Sequence, residues 1–397
     1  MSDPPAATAG AAPIPYGRLA AFYFAYYAAM GAFTPYWSLY LASLGLQATA
    51  ISVLMSLWYA TRIVAPSTWT ALAARSAHPV RWLWAGCMLT LASFAVLLAP
   101  HGFTGLFLAM AAFCFFYNAV MPQFESITLS HLGTRSERYG LVRVWGSIGF
   151  IAVVVAYGWL IDRLGIGALP WLMLPLFAAL VPLALGNRYA ELPEEPRAAV
   201  GDGFRARLRR PQVVAFFVAA FLTQVSFGPF YTFFSIYLQE HGYAPTVQGL
   251  LWAVGVLVEI AVFFASVAIF RRWDAGRVLV LALLSAALRW WATGLWPDTL
   301  AVMLLAQASH ALNFGAFFAA AMQLLARFFP GRMNGHGQGV FYGLSSGAGG
   351  VAGALLAGQL WRFGGHVAFI ASGFIALAAA LIAWRWLVAN PSAEAPR

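Results

Sequence analysis

Residues 188–211 read RYAELPEEPRAAVGDGFRARLRRP, a polar, proline-bearing and heavily charged run inside an otherwise apolar chain. On both sides of it, apolar stretches of ~20 residues, long enough to cross a hydrocarbon core as helices, follow one another with little interruption. Six precede the run, at 18–44, 49–73, 79–99, 103–130, 139–164 and 168–187. Six follow it, at 212–240, 247–271, 276–296, 299–328, 335–363 and 366–389. The run is therefore read as a cytoplasmic linker between two six-helix bundles, 18–187 and 212–389. Residues 1–17 are read as a disordered cytoplasmic tail and 390–397 as a second tail. The opening MSDPPAATAGAAPIP lacks the basic region and short apolar core of a cleaved signal peptide.

A repeat supports the division. At an offset of 197 positions, Ser38-Leu39-Tyr40-Leu41 with Gly45 meets Ser235-Ile236-Tyr237-Leu238 with Gly242. Gly31 meets Gly228, Gly140 and Gly146 meet Gly337 and Gly343, and Arg62 falls opposite Glu259. Parallel six-helix halves of this kind resemble major facilitator transporters, whose substrate site lies near the midplane between the halves.

Composition agrees. Of 397 residues 62% are apolar and 9% charged, against about 25% charged in soluble domains. The formal charge of +10 comes entirely from arginine among the basic residues. Arg163 and Arg362 fall on one side of the expected membrane and Arg62, Arg143 and Arg289 inside it. The rest lie in the termini or in alternate connections that share their side. That is positive-inside bias rather than a nucleic-acid stripe, and it puts both termini in the cytoplasm. Cys87 and Cys114 sit in apolar segments as small packing residues.

Five charged side chains lie deep in the spans: Arg62, Glu125, Arg143, Glu259 and Arg289. Each costs several kcal/mol unless it is paired, hydrated or bound. Two acids and three arginines leave one positive charge over, which suggests an anionic or polar cargo. Glu125 and Arg143 flank one turn, at similar depths of ~8–9 Å from it, so they can face each other. Their other reading is a structural salt bridge. Pro122 frees a backbone carbonyl one turn before Glu125.

The second half carries Glu259, Arg289 and His310, with Asn313 on the face of His310. Gln224 and Gln307 are further polar candidates. A buried Glu can carry a proton near neutral pH, whereas Arg stays charged and clamps carboxylates bidentately. Tyr27 and Trp145 are the aromatics chosen to stack on a planar ligand. The glycines of the eleventh span serve close helix packing, or permit the rocking of one half on the other. No Cys/His metal cluster, nucleotide-binding glycine loop or catalytic triad is present in the sequence. No cofactor, metal, enzyme activity or ATP-driven pumping is expected.

The run Tyr139-Gly140-Leu141-Val142-Arg143-Val144-Trp145-Gly146-Ser147-Ile148-Gly149-Phe150 resembles helix five of the proton-coupled lactose permease group. It resembles more closely the bacterial phenylpropionate permease branch of the major facilitator superfamily. Leu251-Trp252, Gly255-Val256, Glu259-Ile260, Leu288-Arg289-Trp290 and Pro35-Tyr36-Trp37-Ser38 carry the same likeness. The resemblance implies substrate binding by Glu125, Arg143 and Glu259, with Arg289 and His310 at the matching positions of helices nine and ten. Phe150 stands where the lactose group has a sugar-stacking Trp, which counts against a galactoside. Asn313 stands where that group has its proton-carrying acid, so coupling must move to Glu259 or Glu125. The superfamily signature between spans two and three is degenerate, as Ala73-Ala74-Arg75-Ser76-Ala77-His78.

The expectation is a twelve-helix, all-α transporter of the major facilitator fold in a bacterial inner membrane. It imports an aromatic carboxylate such as phenylpropionate with protons. Substrate binding falls to Glu125, Arg143, Trp145, Phe150 and Tyr27, and coupling to Glu259, Arg289 and His310. Arg62, Asn313 and Gln224 are secondary. The partners are a small molecule, protons and lipid, with no nucleic acid, and the resemblance implies a monomer. The alternatives are a sugar or nucleoside symporter, a drug exporter, and, from another class, a membrane receptor or passive facilitator.

Overall fold

The computed structural model describes residues 14–133, 135–190 and 202–389, with the side chains of all but 136, 202 and 263–269. Most of the expected first tail, residues 191–201 of the expected linker and the tail 390–397 lie outside the described residues. Every regular element among those described is helical.

Ten helices are long and apolar enough to cross a membrane. They are α2 (Ala48–Ala74), α4 (Phe103–Leu132), α5 (Tyr139–Leu164), α6 (Ile166–Leu185), α7 (Pro211–Glu240), α8 (Pro245–Arg272), α9 (Ala275–Leu295), α10 (Leu300–Phe328), α11 (Met333–Trp361) and α12 (Gly365–Val388). Two more make the series twelve: α1 (Tyr16–Ser43) and the shorter α3 (Val80–Val96). In a bilayer such helices satisfy every backbone hydrogen bond within themselves, which is why an apolar chain folds this way. The hydropathy of α1 is tempered by Tyr23, Tyr26, Tyr27, Tyr36, Trp37 and Tyr40. It can be so because α1 is enclosed by α5, α6 and α7 rather than by lipid.

The repeat is visible in the backbone. Gly45 and Gly242, equivalent at the offset of 197, follow α1 and α7 with φ of 81° and 78°. Both occupy the left-handed region that closes a helix and that glycine adopts without strain. Gly31 on α1 lies against α5 so closely that a Cβ there would stand 2.7 Å from the Phe150 carbonyl oxygen. Its equivalent, Gly228 on α7, lies in the same way against the carbonyl of Gly353 on α11. Small residues at membrane helix crossings permit this approach.

Three interruptions shape the second half. The helix of α7 breaks at Phe227, before Gly228-Pro229. In α10 and α11, Ala311–Ala316 and Tyr342–Gly349 are π-helical, a wider turn that recurs at functional sites. Within the stretch expected to be linker, Asp202–Leu208 forms a helix. Phe204 is buried against Phe329 at 5.0 Å, and Arg207 donates to the Phe328 carbonyl at 2.9 Å. Phe204, with Leu208 packed on the same core and the Arg207 hydrogen bond, docks that part of the charged run on the bundle.

Candidate functional site

The interior of the first half is built on aromatic pairs. Tyr26 on α1 and Tyr117 on α4 stack at 4.3 Å, and each hydroxyl donates to the other's carbonyl, at 3.1 and 2.6 Å. This lock leaves the next residue, Tyr27, facing α5. The Arg143 guanidinium lies over the Tyr27 ring at 3.9 Å, with Tyr23 at 5.7 Å. Gly146 makes room for both, since a Cβ there would meet the Tyr27 ring at 2.6 Å and Arg143 Nη1 at 2.8 Å. A desolvated arginine over an aromatic face gains a cation–π attraction that offsets part of its burial.

Glu125 and Arg143 share a neighbourhood without a direct ion pair. Glu125 Oε1 accepts instead from the Tyr139 hydroxyl at 3.2 Å. Tyr139, one turn before Arg143, was not among the expected site residues, although it opens the run quoted for α5. Phe150, two turns beyond Arg143 on the same helix face, is buried with its backbone on Gly31. Trp145 is not brought to this cluster. It is 37% exposed and donates to the Tyr16 hydroxyl at 2.8 Å, because two residues beyond Arg143 is the opposite side of a helix.

Arg62 on α2 donates through Nε to Asn118 Oδ1 at 3.3 Å and lies beside the Trp58 ring at 5.2 Å. Asn118 is a second residue that the expectation missed.

In the second half Arg289 is 2% exposed. Its Nη1 meets His310 Nδ1 at 2.8 Å and Asn313 Oδ1 at 3.1 Å, and its Nη2 meets Gln307 Oε1 at 3.1 Å. Phe230 and Trp290 cover it at 4.3 and 4.4 Å. Among the described residues no carboxylate lies within ion-pair distance of it. An arginine only donates, so His310 Nδ1 accepts and the ring proton sits on Nε2. That nitrogen lies 3.9 Å from Glu259 Oε2, at ion-pair range but beyond a hydrogen bond. Gln224 lies on α7 with its Cβ against Gly349 of α11.

The two sets lie near enough to act on each other electrostatically. Tyr27 is in the electrostatic field of Arg143, Glu125, Arg62 and Glu259, and Glu259 is in that of Arg143. Tyr231 on α7 feels Arg62, Glu259 and Arg289 together. The two halves are in contact at the end remote from the chain termini. There the Tyr36 hydroxyl donates to the Val154 carbonyl at 2.7 Å and fills the gap between Gly158 on α5 and Gly249 on α8. Asp162 on α5 accepts from the Thr246 amide of α8 at 3.0 Å and from its hydroxyl. At the same end Gly358 on α11 packs on Ser52 of α2. Toward the terminal end, Tyr342 on α11 is 47% exposed while sharing a field with Glu125 and Tyr27.

The model described as "MFS_1 like family" matches residues 16–371. The chain is 27% identical over 370 residues to "Probable 3-phenylpropionic acid transporter" of Escherichia coli (strain K12), covering 91% of this chain and 95% of that protein. It is 28% identical over 352 residues to "Maltose permease" of Geobacillus stearothermophilus, covering 86% and 88%. The crystal structure of nucleoside transporter NupG superposes with a TM-score of 0.79 at 15% identity, covering 94% of this chain and 98% of that one. At that identity the likeness is one of fold.

Proposed function

The chain belongs to the MFS_1 like family, and from that premise we propose that it imports an aromatic carboxylate such as phenylpropionate together with protons, by alternating access. It is a multi-pass membrane transporter with the major facilitator fold. The proposal places it in a bacterial inner membrane as a monomer, both termini cytoplasmic, with 18–187 and 212–389 as the two moving halves. It needs no cofactor and catalyses no covalent step.

In this reading Arg143 clamps the carboxylate, because a guanidinium offers two parallel donors to it. Tyr27 already supports the guanidinium plane. Glu259 carries the proton. Arg289 holds His310 in the tautomer whose N–H points toward Glu259, and so readies a donor for the ionised carboxylate. Asn313 only accepts from Arg289, so the carrier role falls to the neighbouring acid. The observation that carries the reading is this chain of contacts, Arg289 to His310 to Glu259, with Glu259 in turn in the field of Arg143.

The test is transport in proteoliposomes under an imposed pH gradient. Wild-type protein accumulates phenylpropionate uphill, while Glu259→Gln exchanges it across the membrane without accumulation. Uphill accumulation by Glu259→Gln removes Glu259 from the coupling. The similarity to a maltose permease favours a second cargo, a sugar. Competition of uptake by maltose but not by aromatic acids would select it.

A further inference from the structure

Arg62 is fixed in place, yet its fork is unused. Its Nε is taken by Asn118 Oδ1 at 3.3 Å. Asn118 is itself oriented by donating from Nδ2 to the Trp58 carbonyl and to Thr61 Oγ1, both at 2.9 Å. Trp58 and Tyr59 flank the guanidinium at 5.2 and 5.9 Å. These contacts secure Nε and the guanidinium plane. Among the described residues Nη1 and Nη2 have no hydrogen-bond partner, and no carboxylate pairs with them. Arg143 is in the same condition: its plane rests on Tyr27 and its nitrogens have no hydrogen-bond partner among the described residues.

The two forks lie at different depths. Asn118, which holds Arg62, and Glu125, beside Arg143, are seven residues apart on α4. Seven residues are two turns, so both face the same way about 10 Å apart along the helix. Tyr27 lies in the field of both arginines. A half-buried guanidinium at mid-membrane depth is costly, and a tie between α2 and α4 needs only a neutral side chain. A ligand acceptor at each fork accounts for both charges.

Resting on the carboxylate reading above, we infer that Arg62 is the second anchor of the substrate site. The cargo is a two-headed aromatic acid. Its carboxylate docks at Arg143, and a second acceptor, a carboxylate or phenol oxygen at the far end of the ring, docks at Arg62. The ring spans the gap past Tyr27. Phenylpropionate itself reaches one fork only, whereas a para substituent reaches the other.

The test is calorimetric binding of phenylpropionate, para-hydroxyphenylpropionate and para-carboxyphenylpropionate to the purified full-length protein and to Arg62→Gln. In wild type the two para-substituted acids bind about tenfold or more tighter than phenylpropionate, as expected for a hydrogen bond to a charged group. In Arg62→Gln that advantage disappears while phenylpropionate affinity stays. Equal affinities in wild type, a preference that survives Arg62→Gln, or a uniform loss in the folded variant each overturns the inference and leaves the transport reading intact. Failure of every acid to bind wild type overturns both. If Arg62→Gln does not fold, Arg62→Lys is read instead. It keeps the charge, loses the fork, and shrinks the para-carboxylate advantage.

Discussion

Arg289 Nη1 stands 2.8 Å from His310 Nδ1, so a buried arginine and a histidine on adjacent helices share one contact with no acid between them. The guanidinium is solvated instead by neutral acceptors, His310, Asn313 and Gln307. Arg289→Met removes a buried charge, which is favourable, and strands three buried acceptors, which is not. Each stranded acceptor costs about 1–3 kcal/mol, so the loss prevails. The variant should melt at a clearly lower temperature in detergent. Adding Asn313→Leu should restore part of the difference, because removing both partners is cheaper than removing one. Equal melting of wild type and Arg289→Met would count against this network.

Gly31 and Gly228 are equivalent in sequence and in function as crossing points. Alanine at Gly31 forces a methyl within 2.7 Å of the Phe150 carbonyl, and alanine at Gly228 collides with Gly353. Backbone cannot yield as a flexible side chain does, so each change should cost about 1–3 kcal/mol. Gly343 on α11 has open space where a Cβ would stand, and Gly343→Ala should leave melting unchanged. A Gly343→Ala loss as large as that of Gly31→Ala would contradict the crossing argument.

The architecture was readable because its determinants are long-ranged in sequence and few in kind: apolar length, one charged run and one constant offset. Arg62, Glu125, Arg143, Glu259 and Arg289 announced themselves because a charge at depth is expensive and so has to be accounted for. Tyr139 and Asn118 did not, since neutral polar residues and tyrosines cost little in a span and many serve only packing. Trp145, expected to share a helical face with the charges, instead turns to Tyr16, because two residues from Arg143 is half a turn of helix. The docking of Phe204 was hidden by the charge around it.

Acid should act at the connection between α8 and α9. Asp274 accepts from the Gly276 amide at 2.8 Å and pairs with Arg327 Nη1 at 2.8 Å. Burial pushes its carboxyl up, but these donors outweigh it and hold it below the usual 3.8. A depressed folded value means stabilisation that is present above the unfolded pKa and is lost as pH falls through the folded one. Asp274→Asn keeps a capping oxygen and loses the charge. Wild type should exceed it in stability by about 0.5 kcal/mol at most, because the pair is half exposed and screened. The gap should hold at neutral pH and close below pH ~4. A gap that widens on acidification would reverse the sign of the argument.

The far-end contact between the halves should depend on Asp162. Its carboxylate accepts from the Thr246 amide at 3.0 Å and caps the start of α8 from across the seam with α5. Opening that seam breaks the cap, so the cap contributes to the closed state and not to the open one. Loss of an N-cap costs about 1 kcal/mol, roughly a fivefold shift between two states. A cysteine at Ser52, buried against Gly358 at the same end, reports the shift in a background with Cys87 and Cys114 replaced by alanine. Asp162→Ala should raise its maleimide labelling several-fold. Thr246→Val, which loses the hydroxyl donor but keeps the amide, should raise it less. Unchanged labelling in Asp162→Ala would mean that Tyr36 and the glycine contacts close this end without the cap.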